Sequence, residues 1–155
     1  MRSLTVMLAL MVAFTQTIAG QERPRPAAAV GHPSMESPHV NPIAVSGGRV
    51  FVANTPAGTV DVISRSARKV VTRIPVGVDP VSIAVRPDGK EVWVSNHVSD
   101  SVSVIDADPA SPTFLQVIAT IQEFDQKTKA TLFDEPVGIA FAGNEKAYVA
   151  LSSEN

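Results

Sequence analysis

His97 stands beside Ser99, Asp100 and Ser101, the residue types of a nucleophile, its base and an orienting acid. All of them fall on one short stretch with no strand–turn–nucleophile elbow before it, so it reads as a loop and not as a triad. Asp79-Pro80 and Glu135-Pro136 repeat an acid before a proline. Acids recurring at one end of a repetitive fold could ring an opening and hold a hard cation such as Ca²⁺. The competing reading, which we prefer, is a structural turn. His32, His39 and Glu36 have metal-ligand chemistry, but a metal needs ligands held at fixed geometry, and a Pro-rich stretch does not supply it. Arg65, Arg68 and Lys69 form a basic turn that reads as a solvated face. The chain has no Cys, which excludes disulfides, thiol nucleophiles, zinc ribbons and covalently held c-type haem within it. No glycosylation sequon, phosphate-binding glycine loop or His-Glu-x-x-His helix is present.

The elements that would position these residues follow from composition and period. The 155 residues carry 13 Lys+Arg against 15 Asp+Glu, a net charge of −2, with 45% hydrophobic and 18% charged residues. An acidic, sparsely charged chain argues against nucleic-acid binding, which depends on neutralising phosphates. Its apolar content is too high for a disordered protein.

Met1 to Ala19 reads as a signal peptide: Arg2, an apolar run from Leu4 through Phe14, and Thr17-Ile18-Ala19 before cleavage. The run falls short of the ~20 residues needed to cross a bilayer. The rest is therefore expected to be exported, to the periplasm or outside the cell, with no membrane span once the signal is removed. Residues 20–40, with Pro24, Pro26, Pro33 and Pro38, read as an extended linker.

After residue 40 the sequence repeats. Arg49-Val50-Phe51-Val52-Ala53-Asn54 recurs as Glu91-Val92-Trp93-Val94-Ser95-Asn96, 42 residues on, and more weakly as Lys146-Ala147-Tyr148-Val149-Ala150-Leu151. Ile43-Ala44-Val45, Ile83-Ala84-Val85 and Ile139-Ala140-Phe141 precede them. Thr59–Ile63 matches Ser101–Ile105, and Lys69–Ile74 matches Gln116–Ile121. Val and Ile dominate each run, and their stiff branched Cβ favours the pleated backbone. Ser46-Gly47-Gly48 and Pro87-Asp88-Gly89 supply turns. No window has a sustained helical period, and no helix is predicted. Units of about 40 residues, each with four short β-prone runs, predict an all-β fold of β-propeller blades built as four-stranded antiparallel meanders. The blades span about 41–77, 78–121 and an incomplete 136–155, so a partial propeller fills residues 41–155.

These residues resemble the YVTN β-propeller repeat family. The likeness runs through Arg86-Pro87-Asp88-Gly89, Val92-Trp93-Val94-Ser95-Asn96 and Val102-Ser103-Val104-Ile105-Asp106. In the first unit it runs through Val60-Asp61-Val62-Ile63 and Ile74-Pro75-Val76-Gly77. Leu151 stands where the pattern has Asn, and Ser46-Gly47-Gly48 replaces Pro-Asp-Gly. The structural repeat positions are Phe51, Asn54, Asp88, Gly89, Trp93, Asn96 and Tyr148. Phe51, Trp93 and Tyr148 share one slot, expected to pack between sheets. Asn54 and Asn96 are expected to serve turns. Two and a half blades do not close a ring, and the expectation is an open, N-terminal fragment of a larger propeller.

The repeat is uneven. Ile63 to Ile74 is 11 residues but Ile105 to Ile121 is 16, with extra residues around Asp108–Pro112. A second insert spans Gln122–Glu135 and carries Phe124, Leu132 and Phe133 among its charges. Insertions in repeats fall on loops.

The functional expectation is an exported binding or scaffold module, its partner a protein or further blades of the same protein. The resemblance implies a link to a cytochrome c or di-haem peroxidase-like domain, marked by Cys-x-x-Cys-His elsewhere, with no cofactor held in this chain. The alternatives are a lactonase-like propeller hydrolase and a structural surface-layer protein. No catalytic or metal-binding residue is assigned, because propellers host many chemistries.

Overall fold

The computed structural model describes residues 37–152. The signal peptide, most of the Pro-rich segment, His32 and Glu36 lie outside the described residues.

Among the described residues ten strands follow in chain order. β1 (Ile43–Ser46), β2 (Arg49–Asn54), β3 (Thr59–Ser64) and β4 (Lys69–Pro75) make one four-stranded antiparallel sheet in sequence order. β5 (Pro80–Val85), β6 (Glu91–Asn96), β7 (Ser101–Asp106) and β8 (Val117–Ile121) make a second of the same order, and β9 (Pro136–Phe141) pairs with β10 (Ala147–Leu151). The predicted meanders are therefore present: two complete blades and the two inner strands of a third. The sole helical element among the described residues is one 3₁₀ turn at Thr55–Ala57, inside the β2–β3 loop. There Pro56 pre-sets the turn, and Gly58 closes it at φ +61°.

The repeat extends to its irregularities. β3 against β4 shifts register between Val62 and Ile63, and β7 against β8 shifts between Val104 and Ile105, the equivalent pair. Gly47, Gly48 and Gly89 sit at φ +53°, +75° and +74°, which explains why glycine punctuates the first turn of each blade.

Blade 1 packs its Phe51, Val60, Val62 and Ile74 against Ile83, Val92, Val94 and Ile105 of blade 2. Burying each such side chain contributes about 1.5–3 kcal/mol. β3 keeps a clean alternation, with Val60 and Val62 buried and Thr59 and Asp61 partly open. β7 is buried at every residue, because its sheet lies between two neighbours. The slot Ile43/Ile83 shows the same effect: Ile83 is fully buried against blade 1, whereas Ile43 is 54% exposed.

The chain leading into β1 does more than link. Val40 N–H donates to Val81 O at 3.1 Å, Ile83 N–H donates to Asn41 O at 2.7 Å, and Asn41 bridges Ser82 in parallel. The chain thus runs along the inner edge of blade 2 before turning into blade 1. No helix among the described residues is long and apolar enough to cross a membrane.

Candidate functional site

Antiparallel alternation sorts the connections onto two ends of the blades. The β1–β2 and β3–β4 turns gather at one end. The β2–β3 and β6–β7 loops gather at the other, with the segments that join successive blades. Asn54, Asp79, Asn96, His97, Asp100 and Glu135 all belong to this second end, although the sequence scatters them over 82 positions.

Two slots recur there. His39, Asp79 and Glu135 each stand four residues before the Ile of an innermost strand, and Thr55, His97 and Ser152 each follow a second strand. Within blade 2, His97 N–H donates to Asp79 O at 2.9 Å; within the third unit, Ser152 N–H donates to Glu135 O at 3.0 Å. In blade 1 the two slots meet through side chains, with His39 Nε2 and Thr55 Oγ1 2.6 Å apart. Thr55 Oγ1 also donates to Pro80 O of blade 2 at 2.7 Å. A hydroxyl has one proton, so His39 is the donor and its proton sits on Nε2. His97 reaches from blade 2 to the next unit, its Nε2 3.9 Å from Glu135 Oε2. In blades 1 and 2 the second-strand slot therefore ties the blade both to the start of its own first strand and to its neighbour.

Asp79, Asp100 and Glu135 adopt left-handed backbone at φ +61°, +46° and +47°. Residues other than glycine enter that region at a cost of about 1–2 kcal/mol. Their contacts hold them there: Asp100 Oδ1 accepts from Glu135 N–H at 3.0 Å, and Glu135 Oε2 accepts from Ser152 Oγ at 3.0 Å. Asp79 Oδ2 faces Ser37 N–H at 3.4 Å. The repeated acids are thus turn residues, each bound to its own junction. Among the described residues no group of three or more His, Asp or Glu is arranged to hold a metal ion.

The Asn96 side chain is fully buried and donates from Nδ2 to Ser101 Oγ at 3.1 Å and Ser103 Oγ at 3.0 Å. Ser99 Oγ lies 3.0 Å from Ser101 Oγ and accepts from Val78 N–H at 2.9 Å. The serines of the His97–Ser101 stretch thus tie blade 2 to the end of blade 1. Among the described residues no serine hydroxyl bonds His97, whose neighbour is Glu135 and not Asp100, and the triad geometry does not form. Ser95 Oγ, Asn96 Oδ1 and His97 Nδ1 are buried without a partner among the described residues, three successive polar side chains at this rim. Asn54, the equivalent of Asn96, is half-buried and makes no capping bond to the following turn.

The shared aromatic slot is used unevenly. Phe51 is 1% exposed and packs between sheets as expected. Trp93 is half-buried, stacks edge-to-face on Phe141 at 5.3 Å and donates from Nε1 to Glu91 Oε2 at 2.8 Å. Tyr148 departs from the expectation at 57% exposed, with Lys146 above its ring, because among the described residues no sheet covers that face of β10.

Asp88 and Gly89 shape the turn at the opposite end. Asp88 accepts from Arg86 Nε and from Lys90 N–H, both at 2.9 Å, and Arg86 also pairs with Glu91. The Arg86 hydrogen bond, followed by that of Lys90, holds the Asp88 carboxyl below the usual range, and the bond to Asp88 raises Arg86 in turn. Asp88 N–H donates to Asn144 at 3.1 Å, joining blade 2 to the third unit at this end too.

Sequence reasoning missed Thr55 and His39 as joining residues, and also Gly77, which closes blade 1 against Asn96 and Ser99 of blade 2. The signal for His39 was present in its spacing from Ile43, which equals that of Asp79 from Ile83.

No protein-family description and no curated protein matches the chain. Among solved structures, it is similar to Kuenenia stuttgartiensis hydrazine synthase, at 31% identity and TM-score 0.58, over 79% of this chain and 33% of that one. It is also similar to dihydro-haem d1 dehydrogenase NirN in complex with DHE, at 24% identity and TM-score 0.54, over 74% of this chain and 22% of that one. Both contain β-propeller domains, and the sheets described above are blades of that fold. The chain spans a third or less of the solved proteins it matches.

Proposed function

We propose that the chain is an exported β-propeller module of the YVTN repeat type, serving as a binding and scaffold unit for a larger protein that carries a cytochrome c or di-haem peroxidase-like domain. The observation that carries this reading is the likeness to hydrazine synthase: 31% identity extends over 79% of the chain yet accounts for only 33% of the longer protein. Blades of this kind are one portion of a larger machine there. The haem-bearing partner domain rests on the repeat resemblance set out from Val92–Asn96 and Val102–Asp106. The local chemistry is in keeping with a scaffold. The residues with the most catalytic character, His97, Ser99, Asp100 and Glu135, are engaged in joining blades.

The test is isolation of the protein from the envelope of its native source, followed by haem staining and a visible spectrum. The expected result is a polypeptide longer than these 155 residues with covalent haem, or a stable complex with one that has it. A haem-free polypeptide without a haem-bearing partner overturns the proposal.

A further inference from the structure

The end of the blades opposite the rim carries a cleft of about 560 Å³ between the first turn of blade 1, its β3–β4 turn, and blade 2. Its walls come from parts that the scaffold role does not use. Arg49 lines it from the start of β2 and Arg65 from the β3–β4 turn, and no carboxylate is among its lining residues. Arg49 opens β2 opposite Ser64, the last residue of β3, so the register itself brings Arg49 beside the turn that carries Arg65.

The two guanidinium groups differ in a useful way. Arg49 is already positioned: Nη1 donates to Gly47 O at 3.2 Å, and its Cζ lies 4.6 Å over the Phe114 ring. A guanidinium stacked on an aromatic face loses little further freedom when it grips an anion. Arg65 is exposed, and among the described residues its side chain has no ion pair or hydrogen bond. Ser64 and Ser66, with hydroxyls 3.2 Å apart, share one hydroxyl proton between them and leave the other to donate beside it. Beyond the Cα of Gly47 and Gly48 the space within 4 Å is open, leaving bare backbone on that wall.

Phe114 and Leu115 belong to the longer β7–β8 connection, the one whose extra residues break the repeat. Thr113 Oγ1 donates to Asp106 Oδ2 at 2.6 Å, Phe114 N–H donates to Ser111 O at 3.2 Å, and Leu115 N–H donates to Asp106 O at 2.8 Å. These bonds, all within blade 2, fix the shape of its insertion, which meets blade 1 at the Arg49–Phe114 stack. There it presents Leu115 to the cleft. The insertion therefore has a product: a cationic pocket with an apolar wall, in a chain of net charge −2.

We infer that this cleft binds a small organic oxyanion, a carboxylate or a phosphate, gripped between Arg49 and Arg65 with its apolar part against Leu115. Paired guanidiniums with an adjacent hydroxyl match the planar fork geometry of such groups. The test titrates the full chain at low ionic strength with inorganic phosphate and, separately, with citrate, followed calorimetrically. Saturable one-to-one binding of either probe is expected, and the probe that binds tells phosphate from carboxylate. Arg65→Gln, at an exposed position that leaves the fold intact, and Arg49→Lys, which keeps the charge but loses the fork and the stack, should each weaken binding roughly tenfold or more. Arg73→Gln, which removes the same charge elsewhere, should leave binding unchanged. Absence of saturation with both probes overturns the inference. So does an Arg73→Gln effect equal to that of Arg65→Gln, which would reduce the site to diffuse charge.

Discussion

Gly77, at the end of blade 1, lies so close to Asn96 of blade 2 that a Cβ on it would fall 2.6 Å from Asn96 Cγ and 2.3 Å from Ser99 Oγ. The glycine ending one repeat and the asparagine ending the second strand of the next are thus two halves of one contact. Gly77→Ala should destabilise the protein by about 1–3 kcal/mol through overpacking of a filled junction. Gly138→Ala meets only ordinary contact at 3.8 Å and should be tolerated. The midpoint of urea denaturation compares the two, and equal midpoints would refute the junction contact.

Asn54 and Asn96 occupy one slot but different surroundings. Asn96→Ala removes the donor to Ser101 and Ser103 from a fully buried position and should cost about 1–3 kcal/mol. Asn54→Ala at its half-buried position should fall within about 0.5 kcal/mol of the parent. Thermal melts read the difference.

The aromatic slot yields a graded series. Phe51→Ala opens a cavity in the inter-blade core and should cost about 3–5 kcal/mol. Tyr148→Ala, on a bare face, should change stability by no more than about 0.5 kcal/mol. A comparable loss at both positions would contradict the burial described here.

Trp93 is the chain's one tryptophan, so its fluorescence reports a single site. Its edge-to-face partner Phe141 belongs to the third unit. Phe141→Ala should shift the emission to longer wavelength as water reaches the indole, with little change in circular dichroism. An unmoved spectrum would mean that β9 does not cover Trp93 in solution.

Asp106 is held below the ordinary carboxylate range by the Ser111 and Thr113 hydroxyls, and Asp125 by hydrogen bonds from Thr128 and then Lys127. A lowered native pKa means that the unfolded chain binds protons more readily. The associated stability is fully present above the unfolded value of about 3.9 and is lost as pH falls below it. Urea midpoints should hold between about pH 7 and 5 and drop below roughly pH 4. Asp106→Asn should flatten that acid limb and lower the midpoint at neutral pH.

Much of the fold was written in residue type and spacing. The recurrence of Asn54 as Asn96 set the register of two sheets, and the Gly-bearing turns lay where the sequence placed them. Lys69–Ile74 extended by one residue, and Gln116–Ile121 began one residue later. What the sequence left hidden depends on which surface lies across from a residue. Phe51, Trp93 and Tyr148 are equivalent along the chain, yet they are covered by a sheet, by one ring and by one lysine. The left-handed backbone at Asp79 and Glu135 was equally hidden, since an acid before proline announces a turn without fixing its hand. The cationic cleft was visible only in halves, Arg65 in one repeat and an unexplained lengthening of the loop in the next.

The path of residues 37–42 has a mechanical consequence. Because Val40 and Asn41 bond to β5 before the chain enters β1, tension applied at that end falls first on blade 2. Where paired segments lie along the pull, the bonds between them cross it, are loaded in shear and break together, whereas a terminal strand peeled sideways gives way one bond at a time. The leading stretch therefore acts as a strap that shares strain between two blades, and β1 is shielded from being unzipped until the strap fails.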